Sequence, residues 1–126
     1  MTPKAARYQL AADIEAGMAD PELIVTASPP ENPPAPPAIV LAPRAQYLTQ
    51  GTACDWEMRL TATVAVSRVS GVPGLDLVDD IVQQLIGVLA TASVIVTTEG
   101  VQDIGITQES QGVEYTTGTV EITCHI

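Results

Sequence analysis

The sequence predicts an α+β fold: a mostly antiparallel mixed sheet with long curled strands, packed against an N-terminal helix and a central amphipathic helix. Residues 55–67 alternate polar and apolar side chains, which is typical of a half-buried antiparallel strand. Residues 75–90 instead repeat apolar side chains at helical spacing, so they predict a helix that covers one face of a sheet. With 126 residues and no internal repeat, the chain is expected to form one domain over residues 1–126.

The first element is predicted to be a helix. Thr2 can cap its N-terminus, and Pro3 suits the first helical position because the missing N–H would have no partner there. The helix is expected to end within residues 17–21, near a glycine or a proline. Its apolar stripe has one member every four residues: Leu10, Ile14 and Met18.

Two short strands are predicted on either side of a proline-rich loop. Residues 23–26 are apolar and largely β-branched, and residues 38–42 form a second apolar run that Pro43 is expected to stop. Between them, six of the ten residues in 28–37 are proline. Proline lacks a backbone donor and favours polyproline II, so this stretch predicts an extended, stiff loop.

The alternating strand over residues 55–67 is the clearest element. At about 3.3 Å per residue, its thirteen residues would span roughly 40 Å, which exceeds the diameter of about 36 Å expected for a compact domain of this size. The strand should therefore curl strongly or overhang the domain. Its predicted core side chains are Trp56, Met58, Leu60, Ala62, Val64 and Val66.

The central helix is predicted to follow a turn at residues 71–74. Its apolar stripe is broad and should cover a sheet face. The stripe comprises Leu75, Val78, Ile81, Val82, Leu85, Ile86 and Leu89.

The rest of the chain is predicted to form two or three strands. Residues 94–98 and 101–107 favour strands with a turn between them, and a turn at residues 111–112 leads to a long final strand over residues 113–126. Gly118 marks an expected bulge or phase shift in that strand. The predicted core side chains of the final strand are Val120, Ile122, Cys124 and Ile126.

Composition excludes several classes of function. Fifteen acidic residues against five basic ones give a net charge of −10, so we expect no tight binding to nucleic acid. No apolar run reaches the length of a membrane span, and no signal segment is apparent, so we expect a soluble, unprocessed protein. Aromatic residues make up only 3% of the chain, which argues against a deep aromatic-lined pocket.

Soft metal ligands are few. Cys124 and His125 are neighbours on a predicted strand and should point to opposite faces, so a metal site is not expected. Cys54 and Cys124 both fall on core positions and are predicted to be buried free thiols, with a disulfide between them as the alternative. His125 has no nucleophile at a recognisable motif spacing and is predicted to be a surface residue.

The acidic side chains are predicted to be surface groups. Three of them lie in the first two turns of the central helix, where the helix dipole favours negative charge: Asp76, Asp79 and Asp80. They lack the alternating ligands and distal glutamate of an EF-hand. Glu57, Glu114 and Glu121 lie on solvent-facing strand positions without the aromatics that a glycosidase pair would use. We therefore predict no catalytic, cofactor-binding or metal-binding residue, no cofactor, and no enzymatic activity.

The candidate contact residues are basic or proline. Arg59 is expected to pair with an acidic side chain across the sheet, with a partner contact as the alternative. The proline-rich loop could bind an SH3-type domain or lie as a stiff arm against a neighbouring subunit. The candidate contacts with subunits or partners are Pro33, Pro34, Pro36, Pro37, Arg44, Arg59 and Arg68.

The order of these elements resembles the tail terminator proteins, also called tail completion proteins, of long-tailed bacteriophages. The resemblance spans nearly the whole chain and is carried by CDWEMRLTATVAVS, LDLVDDIVQQLIGVL and YTTGTVEITCHI, together with the N-terminal helix and short strand. The proline-rich loop departs from it, because the loop is longer and stiffer than the connection expected there. The family has no catalytic signature.

The resemblance implies a structural virion protein. Such a protein forms a homohexameric ring on the last ring of the tail tube, stops tube polymerisation and offers a surface to the connector or head-closure protein. It implies assembly in the host cytoplasm, a place at the head-proximal end of the tail, and DNA that passes through the channel without specific binding; no membrane is involved. A head-closure or connector protein is the alternative within phage assembly, and a small ligand-binding domain or enzyme is the alternative outside it.

Overall fold

Over the residues that it describes, the computed structural model contains two helices and five strands in an α+β arrangement, as predicted. It describes residues 2–30, 37–50, 55–67, 73–110 and 113–126. The elements are α1 (Pro3–Gly17), β1 (Ile24–Thr26), β2 (Ala38–Gln50), β3 (Trp56–Ser67), α2 (Gly74–Leu89), β4 (Ile95–Ser110) and β5 (Val113–His125).

The five strands form one curled sheet with the shape of a half-barrel, in the order β1-β2-β3-β5-β4. β1 pairs with β2 in parallel, whereas the other three neighbouring pairs are antiparallel. The sheet therefore has the mixed, mostly antiparallel pairing that the sequence predicts. Both helices contact it, and the main core lies between them and one sheet face, which we call the covered face. The opposite face is the open face.

Helix α1 begins and ends as predicted. Thr2 Oγ1 accepts a hydrogen bond from the Ala5 N–H at 3.1 Å, and Pro3 occupies the first turn. A side chain at Gly17 would collide with α2, because a Cβ there would lie 2.6 Å from Val88 Cγ2. The helix therefore ends in close contact with α2. Its buried side chains are Ala6, Leu10, Ala11 and Ile14.

Strand β3 lies in the middle of the sheet and keeps its predicted alternation. Met58 and every second residue through Val66 are buried on the covered face. Trp56 is the exception: it was expected in the core but remains 36% exposed. Trp56 is the first residue of β3, and the buried core begins only at Met58. Alternation therefore places Trp56 on the covered face, but at a point beyond the end of the core.

Strand β2 does not stop at Pro43, which corrects the prediction of a short strand over residues 38–42. It continues to Gln50. β1 pairs only with residues 38–40, so from residue 41 onward β2 is an edge strand, where proline is tolerated. Between Pro43 and Leu48 the register with β3 shifts, and residues 44–47 lie opposite Arg59 alone. These four residues, which include Gln46 at a φ of 58°, form a β-bulge that we call the β2 bulge.

Helix α2 has a narrower buried stripe than predicted. Leu75 and Ile86 are 48% and 38% exposed, because both lie on the same flank of the line that faces the sheet. At the first residue, a Cβ on Gly74 would collide with the Thr116 side chain, so the helix begins in close contact with β5. The buried members of the stripe are Val78, Val82, Leu85 and Leu89.

Strand β4 is continuous, which corrects the prediction of two strands with a turn at Glu99–Gly100. Its register with β5 shifts there and again between Gln102 and Ile106. Bulges absorb the extra residues because β5 offers an unbroken partner. The second shift lies opposite Gly118, so the irregularity expected at that glycine belongs to β4, while β5 stays in register with β3.

The face assignment of β5 holds for its apolar residues. Val120, Ile122 and Cys124 are buried as predicted, and Ile126 is half-buried. Several other predicted features lie outside the described residues: the 111–112 turn, residues 71–72 of the 71–74 turn and residues 31–36 of the proline-rich loop.

Candidate assembly surfaces

Cys124 is a buried free thiol, as predicted. Burial raises the pKa of Cys124 to about 11, which keeps the thiol protonated at neutral pH. Cys54 lies outside the described residues. Within the described ranges, no three His, Cys, Asp or Glu side chains converge on a position that could hold a metal ion.

His125 lies on the open face, half-buried, with Nε2 3.1 Å from Thr97 Oγ1. Its strand neighbours in register are Glu57 on β3 and Ile95 on β4. This placement agrees with the predicted surface histidine, which lies within hydrogen-bond distance of a threonine hydroxyl.

Arg44 is half-buried and donates hydrogen bonds to two other strands. Its Nε donates to the Leu60 carbonyl at 3.3 Å, and its Nη2 donates to the Ile122 carbonyl at 3.4 Å and to Thr123 Oγ1 at 3.1 Å. The guanidinium therefore ties the β2 bulge to β3 and β5. Thr123 is only 4% exposed although it lies on the open face.

Arg59 has an acidic partner, but on its own strand. Its Nη2 lies 3.4 Å from Glu57 Oε2, two residues earlier, and its Nη1 donates to Gln46 Oε1 at 2.6 Å. The predicted pair across the sheet is wrong because the residue opposite Arg59 on β5 is Thr123. Arg59 and Glu57 are partly solvent-exposed, so this ion pair contributes little to stability.

The opposite side of the β2 bulge is anchored to α1. Arg7 Nη1 donates to Tyr47 Oη at 2.9 Å, and the Tyr47 hydroxyl donates to Met58 Sδ at 3.4 Å. Sequence patterns did not reveal this link, because it joins residues 40 positions apart through a bulge that was not predicted. The β2 bulge thus connects α1 on one face with β5 on the other.

The sheet ends in two unlike edges. On one side, β1 pairs with residues 38–40 of β2 and leaves residues 41–50 without an outer strand in the described chain. On the other side, β4 pairs with β5 alone among the described strands. Edge strands present backbone donors and acceptors that another chain can use. Pro43 and the β2 bulge interrupt the first edge.

Exposed apolar side chains lie near both edges. Ile95, the first residue of β4, is 72% exposed, and Leu48 near the end of β2 is also exposed. Leu48 lies opposite Met58, and Trp56 lies opposite Gln50, so Leu48 and Trp56 share the covered face at the end of the β2–β3 hairpin. These side chains leave apolar surface exposed to solvent.

The predicted contact residues fare differently. Pro37 is half-buried and its carbonyl accepts a hydrogen bond from the Ile24 N–H at 3.2 Å, which sets the start of β2 beside β1. Arg44 and Arg59 come together around the β2 bulge. The remaining predicted contacts lie outside the described residues: Pro33, Pro34, Pro36 and Arg68. The side chain of Glu114, predicted to face solvent, is also outside the described part of the chain.

Neither protein-family models nor curated proteins give a match to the chain. In the part of the chain that the structure describes, neither helix combines the length and the apolar character needed to cross a membrane.

Proposed function

We propose that this protein is a structural component of a bacteriophage virion, a tail terminator that caps the tail tube, ends its polymerisation and provides a surface for joining the head. The observation that carries the proposal is the curled sheet with two unlike edges. The resemblance of the element order to tail terminators supports the specific role.

Two unlike edges favour head-to-tail association of copies. If β4 of one copy meets the β1–β2 edge of the next, the contact is heterologous, and such contacts generate a closed ring when the rotation between copies closes. The resemblance to tail terminators implies six copies.

The open face suits a channel through which DNA passes without binding. Its described carboxylates include Glu57 and Glu121, and its cations Arg44 and Arg59 already have acceptors within the chain. Six copies at −10 each would carry a formal charge of −60. Such a surface repels the phosphate backbone, so DNA should slide rather than adhere.

The partners in this proposal are further copies, the tail tube protein and the head's connector or head-closure protein. The protein would be assembled in the host cytoplasm and remain in the virion at the head-proximal end of the tail. The exposed edges of β2 and β4 support this proposal, because capping a tube depends on surface contacts and not on a catalytic residue.

Native mass spectrometry tests the ring, with a hexamer as the expected mass. Ile95→Lys and Leu48→Lys place charges beside the two edges and should reduce the hexamer to smaller species. Leu75→Lys is the matched control, because Leu75 is also an exposed apolar residue but lies on α2. A monomer at all concentrations, or equal loss of assembly in all three variants, would contradict the ring.

Electron microscopy of phage lysates tests the role. Disrupting the gene should give DNA-filled heads that are unattached to tails, with tails that are overlong or ragged at the head-proximal end. Empty heads beside tails of normal length would instead assign the protein to head closure. Normal infectious particles would exclude both roles.

A further inference from the structure

A groove of about 520 Å³ lies between the connection that follows α1, the end of β3 and the first half of α2. Its volume is within the range of about 300–1,000 Å³ that is common for binding clefts. The larger aliphatic side chains of its lining are Met18, Leu23, Val66, Leu77 and Ile81. Leu23 and Val66 are buried, whereas the other three are half-buried and keep apolar surface exposed to solvent.

The charged part of the lining is acidic. Asp20, Glu22 and Asp80 are all exposed and all line the groove. Among the described lining residues there is no lysine or arginine. The groove therefore combines apolar surface, which favours an aliphatic side chain, with a carboxylate rim, which favours cations on either side of it.

A second copy of this chain is a poor match for the groove. The chain has five basic residues against fifteen acidic ones. Arg7, Arg44 and Arg59 already donate to acceptors within the chain. An acidic surface approaching this acidic rim would be repelled, so the complementary partner is a different protein.

We infer that the groove binds a segment of another protein in which aliphatic side chains alternate with, or are flanked by, lysine or arginine. The aliphatic side chain fills the space beside Leu77 and Ile81, and the basic groups lie against Asp80 and the carboxylates of the α1–β1 connection. The inference depends on the groove alone and not on the proposed ring, so peptide binding tests the one and oligomer mass tests the other.

The experiment measures fluorescence anisotropy of a labelled seven-residue peptide that alternates lysine with leucine. Saturable binding that weakens with added salt is the expected result. The double variant Asp80→Asn with Glu22→Gln should weaken binding by about three-fold to ten-fold. Ile81→Ser should weaken it as well, because it removes apolar surface from the groove.

Matched controls lie outside the groove. Asp79→Asn removes a carboxylate from the adjacent position of α2, and Ile86→Ser removes an exposed aliphatic side chain from the same helix. Both should leave the affinity unchanged, and a peptide with glutamate in place of lysine should not bind.

Three outcomes would overturn the inference. The first is no binding of the lysine–leucine peptide at millimolar concentration. The second is an equal loss of affinity in Asp79→Asn and in the double variant Asp80→Asn with Glu22→Gln, which would indicate that the peptide is attracted by the overall charge only. The third is loss of self-association in the groove variant by sedimentation, which would assign the groove to a second copy of this chain.

Discussion

The middle of β3 and the β2 bulge lie on paired strands, yet different forces hold them in place. Leu60 and Val64 are fully buried between the sheet and the helices, and apolar contact dominates their surroundings. The β2 bulge is half-exposed and is held by polar side chains: Arg44 reaches β3 and β5, and Tyr47 meets Arg7 of α1. Apolar burial is spread over many contacts, whereas the bulge depends on a few directional bonds. The comparison predicts different sensitivities to substitution.

The largest effect is expected from a charge in the middle of β3. Leu60→Asp and Val64→Asp should unfold the protein, because a buried carboxylate without a partner costs more than about 4 kcal/mol. Thr61→Asp and Thr63→Asp, on the open face of the same strand, should be milder. Thermal melts of the four variants check this, and similar losses in all four would show that the two faces do not differ.

A smaller loss is expected at the β2 bulge. Arg44→Ala removes three hydrogen bonds to acceptors on β3 and β5 and should cost about 2 to 3 kcal/mol in the free energy of unfolding, measured with urea. Arg44→Lys retains the charge but not the planar fork, and should recover only part of the loss. Full recovery with lysine would mean that charge alone holds the bulge.

The buried thiol of Cys124, which lies beside β3, predicts a pH dependence of stability. Cys124 lies opposite Met58, and burial raises its pKa from an ordinary value of 9.0 to about 11. The unfolded thiol therefore loses its proton first as pH rises, so the free energy of unfolding should fall between about pH 9 and 11 and be unaffected by this group below pH 9. Cys124→Ser should cost about 1 to 2 kcal/mol at neutral pH.

Thiol reactivity gives a second measurement of the same burial. In a Cys54→Ser background, Ellman's reagent should modify Cys124 only as fast as the protein unfolds. Modification at the rate of a free thiol in the folded protein would contradict burial. In Cys124→Ser, the part of the fall in the free energy of unfolding between about pH 9 and 11 that comes from this thiol should disappear.

The smallest effect is expected at Arg59. Its contacts with Glu57 and Gln46 lie near the surface, so Arg59→Ala should cost less than about 1 kcal/mol. Added salt should reduce the difference from the wild type. A loss as large as that of Arg44→Ala would mean that the two arginines act as one network.

The middle of β3 could be predicted because the cause is local. Alternation along one strand assigns its faces without knowledge of the neighbours, and the same holds for α1 with its cap at Thr2 and for the apolar side of β5. The exposed Trp56 marks the limit of this logic: a pattern assigns a side chain to a face, but the extent of the core decides whether that face is covered there.

The β2 bulge could not be predicted because its causes are distant. Pro43 by itself predicts the end of a strand. It is tolerated within β2 because β1 ends at Thr26 and leaves this part of β2 at the edge of the sheet. Arg44 finds an acceptor 79 positions away on β5. The groove beside α2 is hidden in the same way, since four separate parts of the chain line it. The two edges of the sheet follow from the order of its strands, and no local sequence pattern specifies that order.

The position of β5 has a consequence for synthesis on the ribosome. β5 is made after β4, yet it lies between β3 and β4 in the sheet. Until β5 emerges, β3 and β4 have no common partner, and the edge of each that β5 will cover stays open to other chains. Gly74 at the start of α2 also lacks its contact with Thr116 of β5. Limited proteolysis of nascent chains of increasing length should therefore show protection only after His125 has left the exit tunnel. The sheet can be completed only once β5 is available, so the shorter nascent chains are the species that chaperones would need to shield.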